Sequence, residues 1–377
     1  MSLTLKLASR NLFQDRLRFI ATLIGIVFSI VLVTIQLGLF LSFEGMVTAM
    51  IDHAQADLWI VPSGTKCFED PSLLDEHDRT QALSVQGVND AIPLVIGFTQ
   101  WALPGGGTTP VFIVGSDSNA RGLQPWNVIQ GDIGARSSPG AVAIDKTYFE
   151  RLGVTKIGDS SEIREHKVRV EAITNGIRSF TTTPYVFTSL AGARTYVATP
   201  PNKVSYLLLQ ISPGSDIDAI RRRLLATLTK VEVLTPAQFS RRGREFWLFG
   251  TGAGAALFAG ALLGAIVGTV IIAQTLYSST KDHLSEFATL RAIGSSSVYI
   301  NKVIICQALL SAVIGFFLAA CTGLIIVKST AETALPIVMT PELTLGLFLL
   351  TVVMCVASAI AAIVQVLRID PAVAFRQ

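Results

Sequence analysis

Apolar positions along the chain gather into four long blocks, 19–43, 247–276, 303–327 and 343–367, each nearly free of charge. A helix crossing the roughly 30 Å hydrocarbon core of a bilayer needs about 20 residues, and every block reaches that length. The pattern changes between the first and second blocks, over 44–246, where polar residues interrupt the apolar ones. Alternation and β-branched residues predict strands over 56–61, 91–103, 110–115, 162–173, 185–188 and 204–211. Pro104, Gly105, Gly106 and Gly107 read as a hairpin loop between two of them; no helix follows to make them a phosphate cradle. Asp216 is placed to cap a helix with Ile217, Ile220, Leu224 and Leu228 on one face. Thr235 and Pro236 open a last helix that runs towards the second block. The expected fold is an α-helical membrane protein with four transmembrane helices and a mixed α/β extracytoplasmic domain inserted between helices 1 and 2. The short segments 1–18, 277–302, 328–342 and 368–377 complete the division of the chain.

Composition agrees with a membrane chain. Half of the 377 residues are hydrophobic and only 15 % are charged, too few to solvate a soluble protein of this size. A net charge of +3, without a basic cluster interleaved with aromatics, speaks against nucleic acid as a partner. Cys306, Cys321 and Cys355 lie in apolar blocks, where cysteine acts as a small hydrophobe, and Cys67 is alone in the insert, so no disulfide framework is expected. The first block is too long for the core of a cleaved signal peptide and lacks a clear small-residue cleavage site.

Charge also orients the spans. Lys6, Arg10, Arg16 and Arg18 precede the first block, Lys281, Arg291 and Lys302 follow the second, and Arg368 and Arg376 follow the fourth. The positive-inside rule places these segments, and so both termini, in the cytoplasm, with the insert outside. Arg241, Arg242 and Arg244 sit on the predicted outer side and run against that rule. They either snorkel to headgroups and pair within the domain, or meet an anionic substrate head or a partner protein.

Candidate chemistry is sparse. Asp75, Glu76, His77 and Asp78 form an acidic run that reads as a solvated loop rather than a metal site, and no HExxH pattern or nucleophile with a spaced base occurs. Gly250, Gly254, Gly260, Gly264 and Gly268 mark the second block; the last three repeat every four residues and predict close helix packing. Gln36, Gln274, Gln307 and Gln365 are the polar exceptions inside the blocks, and Glu44, Met46 and His53 stand at the outer end of the first. Ion-driven carriers place ionisable groups near the midplane, so the energy for this chain is expected from elsewhere. The cytoplasmic segment 281–302 carries a helical apolar stripe of Leu284, Phe287, Leu290 and Ile293, with Glu286 and Arg291 off it and Gly294 at its end. Such a helix can lie on lipid or seat in a groove of a partner.

This segment resembles a known family. Glu286, Phe287, Ala288, Thr289, Leu290, Arg291, Ala292, Ile293 and Gly294 are similar to a signature of FtsX/MacB-type (type VII) ABC transporter permeases. Ala8, Ser9, Arg10, Asn11 and Leu12, with Arg16, Arg18, Gly25 and Ile26, resemble the entry to the first span in that superfamily; the tail from Arg368 to Arg376 resembles its end. Gly176, Ile177, Arg178, Ser179, Phe180, Thr181 and Thr182, then Pro184, Tyr185, Val186, Phe187 and Thr188, look like the DevC-type exporter permeases. So do Glu245, Phe246, Trp247, Leu248, Phe249 and Gly250.

The resemblance implies a homodimeric permease of a bacterial inner membrane, working with a separate ABC ATPase that binds ATP and Mg; this chain has no GxxxxGK[ST] loop and holds no cofactor of its own. Leu284, Glu286, Phe287, Leu290, Arg291 and Gly294 would form the coupling helix. Hydrolysis would drive export of a lipid-like or amphiphilic substrate by mechanotransmission, with a periplasmic adaptor and an outer-membrane channel. Glu44, Met46, Arg241, Arg242 and Arg244 would be points of contact with substrate or partner. The alternatives it leaves open are efflux of haem or hydrophobic compounds, lipoprotein release, and an FtsX-like transducer that activates an extracytoplasmic partner.

Overall fold

A computed structural model describes residues 3–70, 72–117, 122–132, 134, 138–282 and 297–367. The chain opens with α1 (Leu3–Gln14) and α2 (Arg16–Asp52). Then come β1 (Leu58–Pro62), β2 (Leu74–Asp75), α3 (His77–Leu83), β3 (Val88–Ala102), β4 (Thr108–Ser116), β5 (Val128–Gly131) and β6 (Ala141–Asp145). A one-turn helix α4 (Phe149–Leu152) leads to β7 (Ser160–Ile163), β8 (His166–Thr174), β9 (Tyr185–Thr188), α5 (Leu190–Val197), β10 (Lys203–Val204) and β11 (Tyr206–Ile211). The last elements are α6 (Ile217–Thr227), β12 (Val231–Leu234), α7 (Pro236–Arg244), a π-helical turn over Glu245–Gly250, α8 (Ala253–Asp282), α9 (Ser297–Thr330) and α10 (Pro341–Leu367). Four of the helices, α2, α8, α9 and α10, are long and apolar enough to cross a membrane.

Two compact units result. One comprises Met1–Leu41, Ala255–Ala331 and Pro336–Gln377; the other comprises Ser42–Gly254 with Glu332–Leu335. The helical unit packs Ile26 and Ile30 of α2 against Ile272 of α8, Ala308, Ala312 and Ala319 of α9, and Cys355, Ala359 and Ala362 of α10. Small residues at these crossings let helix backbones come close, which is how helices associate where lipid removes the hydrophobic drive.

The α/β unit is built on a 10-stranded sheet in the order β12-β1-β11-β3-β4-β9-β6-β8-β5, with β7 branching onto β3 and β8. Its pairs are antiparallel except β4 with β9 and β6 with β8. Period-2 alternation sorts the side chains. Leu58 and Ile60 of β1 join Val95, Ile113, Ile144 and Val186 in one core cluster with Ala193 and Tyr196 of α5 and Ile220 and Leu224 of α6. Trp59 and Val61 face the other way, onto Met50 and Ile51 at the end of α2, Phe68, Tyr206 and Phe239 of α7. Helix starts follow their caps: Asp216 accepts from the amides of Asp218 and Ala219, and Thr235 forms a reciprocal capping box with Gln238.

Two sequence expectations change. The single strand expected over 162–173 is a hairpin, β7 and β8, because Arg164 and Glu165 both take positive φ (47° and 67°) and pair Ile163 with His166 across a two-residue turn. The second apolar block is not one uniform helix from 247: the regular helix α8 starts at Ala253, after the π-helical turn and Gly252 at φ +78°.

Candidate functional site

The glycine ridge of α8 lies against α2 within the helical unit. A Cβ added at Gly260 would stand 2.7 Å from Gln36 Nε2, and one at Gly264 would stand 3.1 Å from Leu32 Cδ2. At Gly268 it would overlap the Ser29 side chain and come within 2.7 Å of Met354 Cε. Ser29 Oγ donates to the Gly264 carbonyl at 2.7 Å, and Ser358 Oγ donates to the Thr269 carbonyl at 2.8 Å. Gly250 and Gly254 sit elsewhere. Gly250 closes the π-helical turn, and a Cβ at Gly254 would meet the Leu248 carbonyl oxygen at 2.6 Å, a close approach of neighbouring backbone rather than of another helix.

The α/β unit gathers the other predicted residues around that π-helical turn. Arg244 Nη1 lies 3.0 Å from Glu44 Oε1, joining the last residue of α7 to the C-terminal part of α2. Arg242 Nη2 pairs with Glu232 Oε2 at 2.6 Å and its Nη1 donates to the Thr65 carbonyl at 3.1 Å. The hydrogen bond from Arg242 holds the Glu232 carboxyl below its ordinary range. Arg241 is exposed, while Met46 is buried with Val47 and Phe180 beside Phe43 and Trp247. So two of the three arginines are engaged within the domain, and Met46 is a packing residue.

The two motifs quoted for the exporter resemblance meet here. Phe180, from the loop between β8 and β9, stacks at a tilt on Trp247 (4.4 Å between ring centroids) and on Phe43 (5.0 Å). That loop is fixed from beneath: Asp145 accepts from the Ile177 amide at 2.8 Å and Tyr148 Oη accepts from the Ser179 amide at 3.0 Å.

Sequence reasoning missed the group at the centre. Glu69, on the loop after β1, is buried, and both of its oxygens accept hydrogen bonds: Tyr185 Oη donates to Oε1 at 3.0 Å and Trp247 Nε1 donates to Oε2 at 3.3 Å. Burial raises its pKa above the usual carboxylate value, against the opposing pull of these donors. Burial also pushes the neighbouring Cys67 thiol up to about 12. An acidic residue between Phe68 and Asp70 carries no local signal of burial; its partners lie 116 and 178 positions away.

The acidic run is spoken for. Asp75 accepts from the His77 amide at 3.1 Å and pairs with Lys203 at 3.2 Å, and Glu76 pairs with Arg194 at 2.9 Å. Among the described residues no group of three or more His, Cys, Asp or Glu side chains is placed to hold a metal ion. Leu284, Glu286, Phe287, Leu290, Arg291 and Gly294 lie outside the described residues. A polar and aromatic knot thus holds the turn that leads into α8 to the domain core and to the C-terminal part of α2.

Comparison with known proteins gives this arrangement a setting. Residues 19–227 match the family described as MacB-like periplasmic core domain, and residues 255–371 match FtsX-like permease C-terminal. No curated protein is matched. One similar solved structure is the periplasmic region of MacB from Actinobacillus actinomycetemcomitans, at 9 % identity and TM-score 0.38, covering 51 % of this chain and 94 % of that one. Another is the extracellular domain of the noncanonic ABC-type transporter YknZ from Gram-positive bacteria, at 16 % identity and TM-score 0.35, covering 48 % and 99 %.

Proposed function

The chain belongs to the MacB/FtsX-like permease family, and on that premise we propose that it is the membrane subunit of an ABC exporter that works by mechanotransmission. A separate ABC ATPase, binding ATP and Mg, supplies the energy. The domain of mixed α/β structure is inserted between the first and second spans and faces the periplasm, and both termini are cytoplasmic. Two copies of the permease form the working unit in the inner membrane. The cytoplasmic helix carrying Leu284, Glu286, Phe287, Leu290 and Arg291 seats on the ATPase, and Gly294 ends it.

The observation that carries this reading is the knot at the root of α8. Arg244 with Glu44, and Trp247 with Phe43, Phe180 and Glu69, bind that root to the outer part of α2 and to the domain core. A displacement of the second span is thereby passed on to the domain. Mechanical transfer needs such a joint; a pore lined by polar groups does not. The meeting of Phe180 with Trp247 also supports affinity with the DevC-type exporters, because each residue belongs to one of the motifs that carry that resemblance. A lipid-like or amphiphilic substrate, a periplasmic adaptor and an outer-membrane channel complete the proposal.

Purification from native membranes in mild detergent tests it. Recovery of an ABC ATPase together with an adaptor supports the exporter; an ATPase with a hydrolase or sensor supports the transducer; no ATPase overturns both. Leu290→Asp should abolish permease-stimulated hydrolysis with the outer domain still folded, and wild-type stimulation in that variant would remove the coupling role from this helix.

A further inference from the structure

We infer that Glu69 and Trp247 form a latch that holds the root of the second span in its π-helical register, and that nucleotide-driven movement of that span opens it. This deepens the mechanotransmission reading and rests on it.

The fixed side of the latch is the loop after β1. The Tyr206 hydroxyl lies within 3.2 Å of the carbonyl oxygens of Cys67, Phe68 and Asp70, donating to one at a time. Asp70 in turn accepts from the amides of Lys66 and Ser72, both at 3.2 Å. Phe68 packs on Trp59 and Phe112 of the sheet. Glu69 is therefore presented by a segment tied to the core on both sides, and Tyr185 of β9 holds its other oxygen.

The movable side is the π-helical turn. A π turn holds one residue more than the α-helix it interrupts, and such turns are rare but frequent at functional sites. Glu245–Gly250 ends in an i to i−5 bond from the Thr251 amide to Phe246, and Gly252 follows at φ +78°, breaking the turn from α8. Return to α register would turn the residues on one side by about 100° and shift them by about 1.5 Å relative to the other. Trp247 would then leave both Phe180 and Glu69. The register is thus coupled to the Glu69 hydrogen bond and to the packing of Trp247 on Phe180, and the bond ends on a buried carboxyl for which a lost donor is costly. Packing accounts for Phe180 against Trp247; the carboxyl adds a directional bond to the indole N–H that depends on where the turn places Trp247.

The test uses the full permease with its ATPase in lipid nanodiscs, labelled with 5-fluorotryptophan. The chain has four tryptophans, and the Trp247 resonance is identified by its loss in Trp247→Phe. Trapping with ATP and vanadate should move the Trp247 resonance and leave those of Trp59 and Trp101 in the sheet in place. In Glu69→Ala the free and trapped positions should coincide, whereas Glu69→Gln, which still presents an acceptor to the indole, should restore the movement. If Glu69→Ala does not fold, wild type and Glu69→Gln still decide. Vanadate-sensitive hydrolysis with an unmoved Trp247 overturns the latch alone; absence of permease-stimulated hydrolysis overturns the function on which it rests.

Discussion

Arg244 Nη1 stands 3.0 Å from Glu44 Oε1, so the last residue of α7 is tied by charge to the C-terminal part of α2, 200 positions earlier in the chain. Both side chains remain partly open to solvent (40 % and 34 % exposed), which places the pair among those that contribute roughly 0.2–1 kcal/mol. Its value is in direction rather than in stability. Arg244→Ala should lower the unfolding free energy by less than about 1 kcal/mol. Permease-stimulated ATP hydrolysis should fall far more than that loss accounts for, and the exchange Glu44→Arg with Arg244→Glu should recover it. Equal losses in the single variants and the exchange would remove the pair from transmission.

The ridge on α8 predicts a graded response. Gly268→Ala puts a methyl group into the Ser29 side chain, and Gly260→Ala puts one 2.7 Å from Gln36 Nε2. Overpacking of this kind costs about 1–3 kcal/mol. Gly346→Ala on α10 is the matched control, since a Cβ there meets nothing within 4 Å. Thermal unfolding in detergent should rank Gly346→Ala near wild type and Gly268→Ala clearly below, with Gly260→Ala between them because the end of the Gln36 side chain can swing aside. A drop for Gly346→Ala equal to theirs would mean that the ridge has no special place in the packing.

What could be read from the chain before its structure follows the range of the forces involved. Span length and apolarity are local sums, so all four long helices were legible. So were the caps at Asp216 and Thr235, because each cap bonds within three residues. The edge strand β12 was missed because four residues hold too little periodicity; it exists through pairing with β1, from Trp59 with Leu234 to Pro62 with Val231. The hairpin within 162–173 was missed because Arg164 and Glu165 are not residues that announce positive φ. At the site, the arginines and Glu44 were visible as charges near an apolar block, but the pairing of Arg244 with Glu44 and of Arg242 with Glu232 was not. Glu69 was invisible because its burial is a tertiary fact, made by β9 and the π-helical turn closing over one loop.

That hairpin offers a stabilising change. Arg164 and Glu165 occupy left-handed backbone that costs an L side chain roughly 1–2 kcal/mol, and both side chains are exposed. Replacing them by Asn and Gly supplies the residues that a turn with two positive φ angles prefers. The double variant should gain about 1 kcal/mol and raise the midpoint of domain unfolding by roughly 2–4 °C. An unchanged or lower midpoint would mean that the turn is held by contacts of the original side chains.

The buried carboxyl fixes the sign of a pH dependence. Burial raises the Glu69 pKa in the folded protein above the ordinary value of 4.5, so folding favours the protonated form. The stability this group contributes is fully present below the unfolded value and is lost as pH rises through the raised folded value. Its titratable neighbours do not confuse the range: the Cys67 thiol is pushed up to about 12, and burial raises the Tyr185 and Tyr206 hydroxyls well above theirs. Glu69→Gln stays neutral throughout, so its unfolding midpoint should lack the decline that wild type shows as pH rises above the ordinary carboxylate value. Glu232 works in the opposite sense. The Arg242 hydrogen bond lowers its pKa, so its contribution is present above the ordinary carboxylate value and lost as pH falls through the lowered one. Glu232→Gln should therefore lower the profile above the ordinary carboxylate value and flatten its acid limb, whereas Glu69→Gln should remove the decline above that value. A wild-type profile that runs parallel to that of Glu69→Gln as pH rises above the ordinary carboxylate value would mean that this carboxylate is hydrated, and that the knot around Trp247 is open in solution.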